Sequence, residues 1–300
     1  MYLFQSRVLR TVGIIIIIFI FVYGYYITCT TSKNFPVGGN FVVEEDESLR
    51  SVSYRLENEH FIRSALWFRV WVSFLNRDRQ VQLGGYSFTQ PLTLGAVVKK
   101  LVYTQPDTPL ISVTIPEGST TYEVAMLVKK VLPNFSIDIF GEKVFAKNAD
   151  GKLFPSTYFL LPSSNEERIL DIMMNTFDKK YTENFKDTEI LLPLRNKEDV
   201  IVLASILEGE AKTKEDMQKV SGILLKRLSI GMALQVDVAK ETYKTIGLPT
   251  QPINNPGLVS LYAVLNPINT PYLYYVTGKD GTMHYAKTFT EHKANIKKYL

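Results

Sequence analysis

The run from Thr11 to Ser32 carries no charged side chain, and its centre, "VGIIIIIFIFVYGYYITC", constrains everything that follows. A helix of about 20 apolar residues is what a hydrocarbon core about 30 Å thick requires. Arg7, Arg10 and the amino terminus precede the run, whereas Lys33 follows it and Glu44, Glu45 and Asp46 come next. Cytoplasmic flanks carry the excess of Lys and Arg. Residues 1–10 are therefore expected in the cytoplasm and 11–32 across the cell inner (cytoplasmic) membrane as a single pass. The rest is expected on the outer, periplasmic or extracytoplasmic, side, with Tyr23, Tyr25 and Tyr26 as an aromatic belt. Two alternatives use the same segment. A cleaved signal peptide is opposed by the long β-branched run and the lack of an A-x-A site, and a lipid-modified Cys29 by the Ile-Thr pair before it.

The remaining chain has the composition of a folded protein. Of 300 residues 46% are apolar and 21% charged, enough for two domains or one with appendages. The net charge is only +4, with no basic block interleaved with aromatics, which argues against a nucleic-acid partner. One cysteine excludes an internal disulfide and a thiolate metal cluster, and His60, His284 and His292 lack metal-ligand spacing. Neither a metal nor a cofactor is expected.

Residues 33–40, "KNFPVGGN", read as a linker. Beyond it, "FVVEEDESLRSVSYRLENEHFI" predicts a strand, a turn and a helix carrying Leu49, Val52 and Leu56. "GGYSFTQPLTLGAVVKKLV" predicts a strand and a helix begun near Thr93, with Leu94, Val97, Val98 and Leu101 inside. In "ISVTIPEGSTTYEVAMLVKKVLP", Thr120 and Glu123 have capping-box spacing, and Val124 repeats Val52 after 72 residues, a weak internal repeat. Small strand-helix units of this kind suit a binding module for an extended polymer, or a structural spacer. From about residue 150 the composition changes, and a helix from about Ser164 to Lys180, another capped by Asn196, a third ending before Gly231 and a fourth from Leu258 to Leu265 follow, then a strand "YLYYVTG" and a terminal helix. Residues 41–149 are thus expected to form one α+β module and 150–300 a second domain.

"VLASILEGEAKTKED" places two acids at the end of an apolar helix. At about 100° per residue from Leu203, Leu207 falls near +40°, Ile206 near −60° and Glu210 near −20°, whereas Glu208 lies near +140°. Glu210 is the acid on the apolar stripe. Lost hydration raises a carboxyl pKa and keeps it protonated at neutral pH, as a general acid attacking an unactivated ether requires. A buried acid held by a cation or a backbone N–H would produce the same pattern. Glu208 alone reads as a solvated helix acid.

At these residues the chain resembles a family. "VLASILEGEA", "VSGILLKRLSIGMALQVD", "TYKTIGLPTQPINNPGL" and "AVLNPINTPYLYYVTGKDG" resemble, in order, the blocks ASIxEKEA, xRLxxGMxLQxD, YNTYxxxGLPPxPIxNPG and ALNPxxTxYLYFV of the endolytic murein transglycosylases, the MltG or YceG-like family. "IPEG" at 115–118 and "GKLFPSTY" at 151–158 extend the likeness over nearly everything outside the apolar run. The resemblance implies an α+β protein with one N-terminal transmembrane helix, a small LysM-like αβ module and a C-terminal catalytic domain of lytic-transglycosylase type. It also implies cleavage of MurNAc-β-1,4-GlcNAc bonds within nascent peptidoglycan glycan strands, leaving 1,6-anhydroMurNAc ends. Penicillin-binding proteins and other wall-synthesis machinery are the implied partners.

By position the catalytic acid, acting as acid and then base, is Glu210. Gln235 matches the Gln of LQxD and is expected at the sugar, and Asp237 matches its Asp as a structural or substrate-orienting group. Tyr243 matches the second Tyr of YNTY and Asn255 the Asn of NPG, both suited to sugar hydroxyls or to developing charge. Glu208 is kept as a further candidate for substrate binding. The chain departs from the pattern in a short spacing, Asp237 and Tyr243 standing six residues apart where the family carries a longer segment. Lys240-Glu241 replaces Tyr-Asn, Thr250-Gln251 replaces Pro-Gly, and the family's late His falls on Met283 or, shifted by one, on His284. Two rival readings persist: a water-using muramidase with Glu208, Asp237 or Glu241 as its second carboxylate, and a non-catalytic or weakly active wall-binding scaffold.

Overall fold

α1 (Tyr2–Cys29) is one continuous helix, and its window Val12–Cys29 has mean hydropathy 2.4 with 11% of it buried inside the protein. The computed structural model describes residues 2–44, 47–75 and 81–300, with side chains from Val12 onward. Met1, the acidic flank Glu45 and Asp46 and the side chains of Arg7 and Arg10 lie outside the described residues. The chain divides into two compact units, residues 1–111 with 159–162, and residues 112–158 with 163–300.

In the first unit, α1 is followed by β1 (Gly39–Val43), α2 (Leu49–Asn58), α3 (Ala65–Phe74), β2 (Gly84–Phe88) and α4 (Leu94–Tyr103). β1 and β2 are antiparallel, with Phe41 opposite Tyr86. α2, α3 and α4 each start at a hydroxyl that accepts a backbone N–H of the first turn: Ser48 from Ser51, Ser64 from Trp67 and Thr93 from Ala96. Such caps satisfy donors that have no partner inside the helix. The core gathers Phe41, Val52, Leu56, Phe68, Tyr86, Phe88, Leu94, Val97 and Leu101, together with Ile27 from the end of α1. The expected helices at 49–56 and 93–101 are present, and α3 is an addition.

The second unit begins at Ser112, the second residue of β3 (Ile111–Thr114), and continues with α5 (Thr121–Val131) and α6 (Ile137–Ala146). Thr120 and Glu123 form the expected capping box. After β4 (Thr157–Leu160), α7 (Glu166–Phe185) is capped by Asn165, α8 (Lys197–Glu210) by Asn196 and α9 (Lys214–Ser229) by Thr213. α10 (Leu258–Leu265) packs on both α8 and α9, β5 (Tyr274–Thr277) pairs antiparallel with β6 (Met283–Ala286), and α11 (Phe289–Tyr299) closes the chain.

The compact units divide at residue 111, whereas the composition changes near residue 150. α5 packs on α6 and α6 on α7, so the "IPEG" segment and both helices belong to the unit that carries the acids. α8 is its centre, with every residue from Asp199 to Leu207 buried. Arg195 holds the first turn of α8 with two guanidinium bonds to Asp199, at 2.8 and 2.9 Å, and keeps that carboxyl below its ordinary pKa.

Candidate active site

α8 stops at Glu210 because Ala211 turns into extended backbone, so both acids of "EGE" lie in the last turn. Gly209, between them, is fixed by a close approach: a Cβ there would lie 2.8 Å from Val238 Cγ1. That gap lets the 236–238 segment lie across the helix end. Val238 N–H donates to Glu210 Oε1 at 3.4 Å, and the Tyr275 hydroxyl of β5 donates to Oε2 at 3.1 Å. Burial pushes the Glu210 carboxyl above its ordinary pKa, these two donors pull it back, and the neighbouring charge of Asp237 pushes it up again. Tyr275, half-buried and facing Glu210, has its own pKa driven well up, by burial of its hydroxyl and then by the Glu210 charge.

The wall opposite the helix end is residues 234–243. Gln235 takes left-handed backbone (φ 49°), and its N–H donates to Thr242 O at 3.2 Å. The buried Thr242 hydroxyl accepts from Val236 N–H at 3.0 Å and donates to Ala239 O at 2.6 Å. A short 3-10 turn, Lys240–Tyr243, then brings the Tyr243 hydroxyl to Asp237 Oδ1 at 2.7 Å, which lifts the tyrosine pKa to about 12. The six-residue spacing is thus closed as a tight loop around Thr242, leaving the side chains of Gln235, Asp237 and Tyr243 exposed.

Arg227, 4% exposed on α9, joins this wall to β5. Its Nε donates to Leu273 O at 2.7 Å and its Nη1 to Leu234 O, and its guanidinium lies 5.1 Å from the Tyr274 ring centre. Burial lowers its pKa.

The other side of the helix end is closed by backbone. Glu208 Oε2 accepts from Gly257 N–H at 2.9 Å, and its Cγ lies 3.4 Å from where a Cβ of Gly118 (φ 75°) would stand. Glu117 is beside it, its carboxyl pushed up by burial and by the Glu208 charge. Asn255 is 1% exposed: its Oδ1 accepts from Leu153 N–H at 2.9 Å and its Nδ2 donates to Ser119 O at 2.8 Å. Both ends of that amide, expected at the sugar, are bonded to backbone here, where they clip the "NPG" loop to the "IPEG" and "GKLF" loops. The structure therefore brings together Glu210, Asp237 and Tyr243, with Gln235 on the same loop, and sets Glu208 and Asn255 in the packing behind them. His284 is stacked on Tyr299, ring centres 3.4 Å apart.

Sequence reasoning missed Tyr275 and Arg227. For Tyr275 a signal existed, since "YLYYV" departs from the pattern YLYFV at that residue. Among the described residues no three His, Cys, Asp or Glu side chains converge as a metal-holding group.

The sequence profile of the YceG-like family matches residues 41–240 and 241–298. An endolytic murein transglycosylase of Bacillus subtilis (strain 168) is 24% identical over 330 aligned positions, which cover 93% of this chain and 90% of the relative. One from Streptococcus pneumoniae serotype 2 (strain D39) is 22% identical over 323 positions, covering 86% of this chain and 58% of the longer relative. Among solved structures, a yceG-like protein of Listeria monocytogenes matches with TM-score 0.54 and 23% identity, over 85% of this chain and 98% of that one, a likeness of fold alone. With the profile spanning both units and stopping short only of the apolar helix and its linker, the chain belongs to the YceG-like family.

Proposed function

We propose that this chain is a membrane-anchored endolytic murein transglycosylase that cuts MurNAc-β-1,4-GlcNAc bonds within peptidoglycan strands, with Glu210 as acid and then base. The observation that carries the reading is the Glu210 carboxyl, shifted upward by burial at an exposed wall of Gln235, Asp237 and Tyr243. A protonated Glu210 gives its proton to the glycosidic oxygen, and the bond from C1 to that oxygen breaks. The carboxylate left behind takes the proton of the MurNAc C6 hydroxyl as O6 bonds to C1, closing the 1,6-anhydro ring and restoring the acid. No water enters. Val238 N–H and the Tyr275 hydroxyl stabilise Glu210 during its charged interval, since hydrogen bonds to a carboxylate favour its ionised form. Asp237, held by Tyr243, faces the positive charge that develops at C1.

α1 is proposed as the membrane anchor, N-terminus in the cytoplasm and both units outside, supported by its length and hydropathy. The βααβ order of the first unit supports a small LysM-like module for glycan, and penicillin-binding proteins are proposed partners because their product is the substrate. Mass spectrometry of digested glycan strands tests the reading. Internal cleavage to anhydroMurNAc ends is expected. Reducing ends would replace it with a water-using muramidase, for which Asp237 is the carboxylate placed beside Glu210, and absence of product would leave a wall-binding scaffold.

A further inference from the structure

The helix that sequence reasoning missed has two apolar faces. Ala65, Phe68 and Val72 of α3 are buried in the core of the first unit. A second stripe, Leu66, Val70 and Phe74, follows at four-residue spacing and is 59%, 45% and 81% exposed. Residues four apart share a helix face, so this is one continuous ridge. Arg69, the only charge on α3, turns toward α2, donating to Ser53 Oγ at 2.8 Å with its guanidinium 5.1 Å from the Tyr54 ring.

The height of α3 along α1 is fixed by its two tryptophans. Trp67 lies on Gly24, where a Cβ would sit 2.3 Å from the ring, so only glycine admits it. One turn on, Trp71 Nε1 donates to Thr28 Oγ1 at 2.9 Å. Gly24 and Thr28 belong to the apolar window Val12–Cys29. At 1.5 Å per residue Gly24 lies about 7 Å inside the outer end of that window. Interfacial helices bury their apolar face about 5–10 Å into the boundary between headgroups and acyl chains. Both contacts advance four residues, so α3 climbs outward beside α1, and a bilayer that covers α1 to Cys29 reaches α3 from its start to Trp71, with Phe74 at the headgroup level.

We propose that α3 is a second membrane-contacting element, its Leu66, Val70 and Phe74 ridge immersed in the outer leaflet beside α1. This rests on reading α1 as a membrane span. The occupant follows from continuity: α1 leaves Ile14 to Tyr23 exposed as one apolar surface, and α3 is joined to that same helix by Trp67 and Trp71.

The full chain is reconstituted into phosphatidylcholine and phosphatidylglycerol vesicles in a Cys29→Ser background. Single cysteines carrying an environment-sensitive fluorophore replace Val70 or Phe74, with Glu59→Cys, exposed on the same unit, as reference. We expect the protein to float with vesicles after carbonate washing and the labels at 70 and 74 to be quenched several-fold more than that at 59 by nitroxide-bearing lipid. Trp67 and Trp71 are the only tryptophans, so quenching of intrinsic emission by brominated phosphatidylcholine reads α3 in the unaltered chain as well. Flotation with labels as accessible to aqueous iodide as that at 59 would overturn the proposal and leave the span standing. Labels shielded from both quenchers would overturn it in favour of a second copy of the chain covering the ridge. Release by carbonate would overturn the span reading and this one together.

Discussion

The two flanks of the "EGE" turn differ in what meets the acid. Glu208 faces backbone, Gly257 N–H from the "NPG" loop and the Gly118 turn, behind which Asn255 ties three loops. Glu210 meets one backbone donor, Val238 N–H, and beside it side chains: the Tyr275 hydroxyl, Asp237 and, one bond further, Tyr243. Acids two residues apart on one helix thus do opposite work. The first holds two loops by their backbone, and the second is kept raised in pKa by burial, next to the exposed side chains of Asp237 and Tyr243.

The largest break in this contrast is Glu210→Gln, which we expect to lower glycan cleavage about 10²–10⁴-fold with an unchanged circular dichroism spectrum. Loss of the fold as well would mean that Glu210 is structural, like its neighbour. Asn255→Ala should do the reverse. It orphans the buried Leu153 N–H and takes one of two donors from the Ser119 carbonyl, which keeps the Asn255 backbone N–H, and should cost about 1–3 kcal/mol in denaturant melts, while the residual folded fraction keeps its activity. Gly209→Ala drives a methyl into Val238 and displaces the donor to Glu210, for which we expect about a tenfold fall in kcat with little change in Tm.

Tyr275→Phe sharpens the comparison from the other wall. Glu210 must be protonated for the first step, so activity falls as pH rises through its pKa, and removing a donor that lowers this pKa should move the basic limb to higher pH. A pH–rate profile that does not move, or moves down, would remove Tyr275 from the site. The smallest effect belongs to Glu208→Gln, which still accepts from Gly257 N–H and should change cleavage by less than about threefold.

Much of this was legible in the chain. Thr93, Thr120 and Asn196 announced their helices because a cap is a local bargain between one side chain and the next backbone turn. α3 was not, because "ALWFRVWVSF" is apolar on two faces, one for the core and one outside it, and so shows no single stripe. The wheel singled out Glu210 from an apolar face, yet α8 is buried on all sides through Leu207; what separates the two acids is the company each finds beyond the helix end. The division into compact units does not follow the composition change near residue 150, because the packing of α5 and α6 toward α7 is tertiary and leaves no trace in composition. At Asn255 the motif position names an amide but not the direction in which it points, here toward Leu153 N–H and Ser119 O.

The donors to Glu210 come from two separate pieces of chain, and one buried cation spans both. Because Arg227 is a rigid plane bonded to Leu234 O on one side and Leu273 O on the other, those pieces cannot drift independently. A displacement of the 234–243 loop is therefore expected to carry the strand bearing Tyr275 with it, so that the two donors to Glu210 shift as one body.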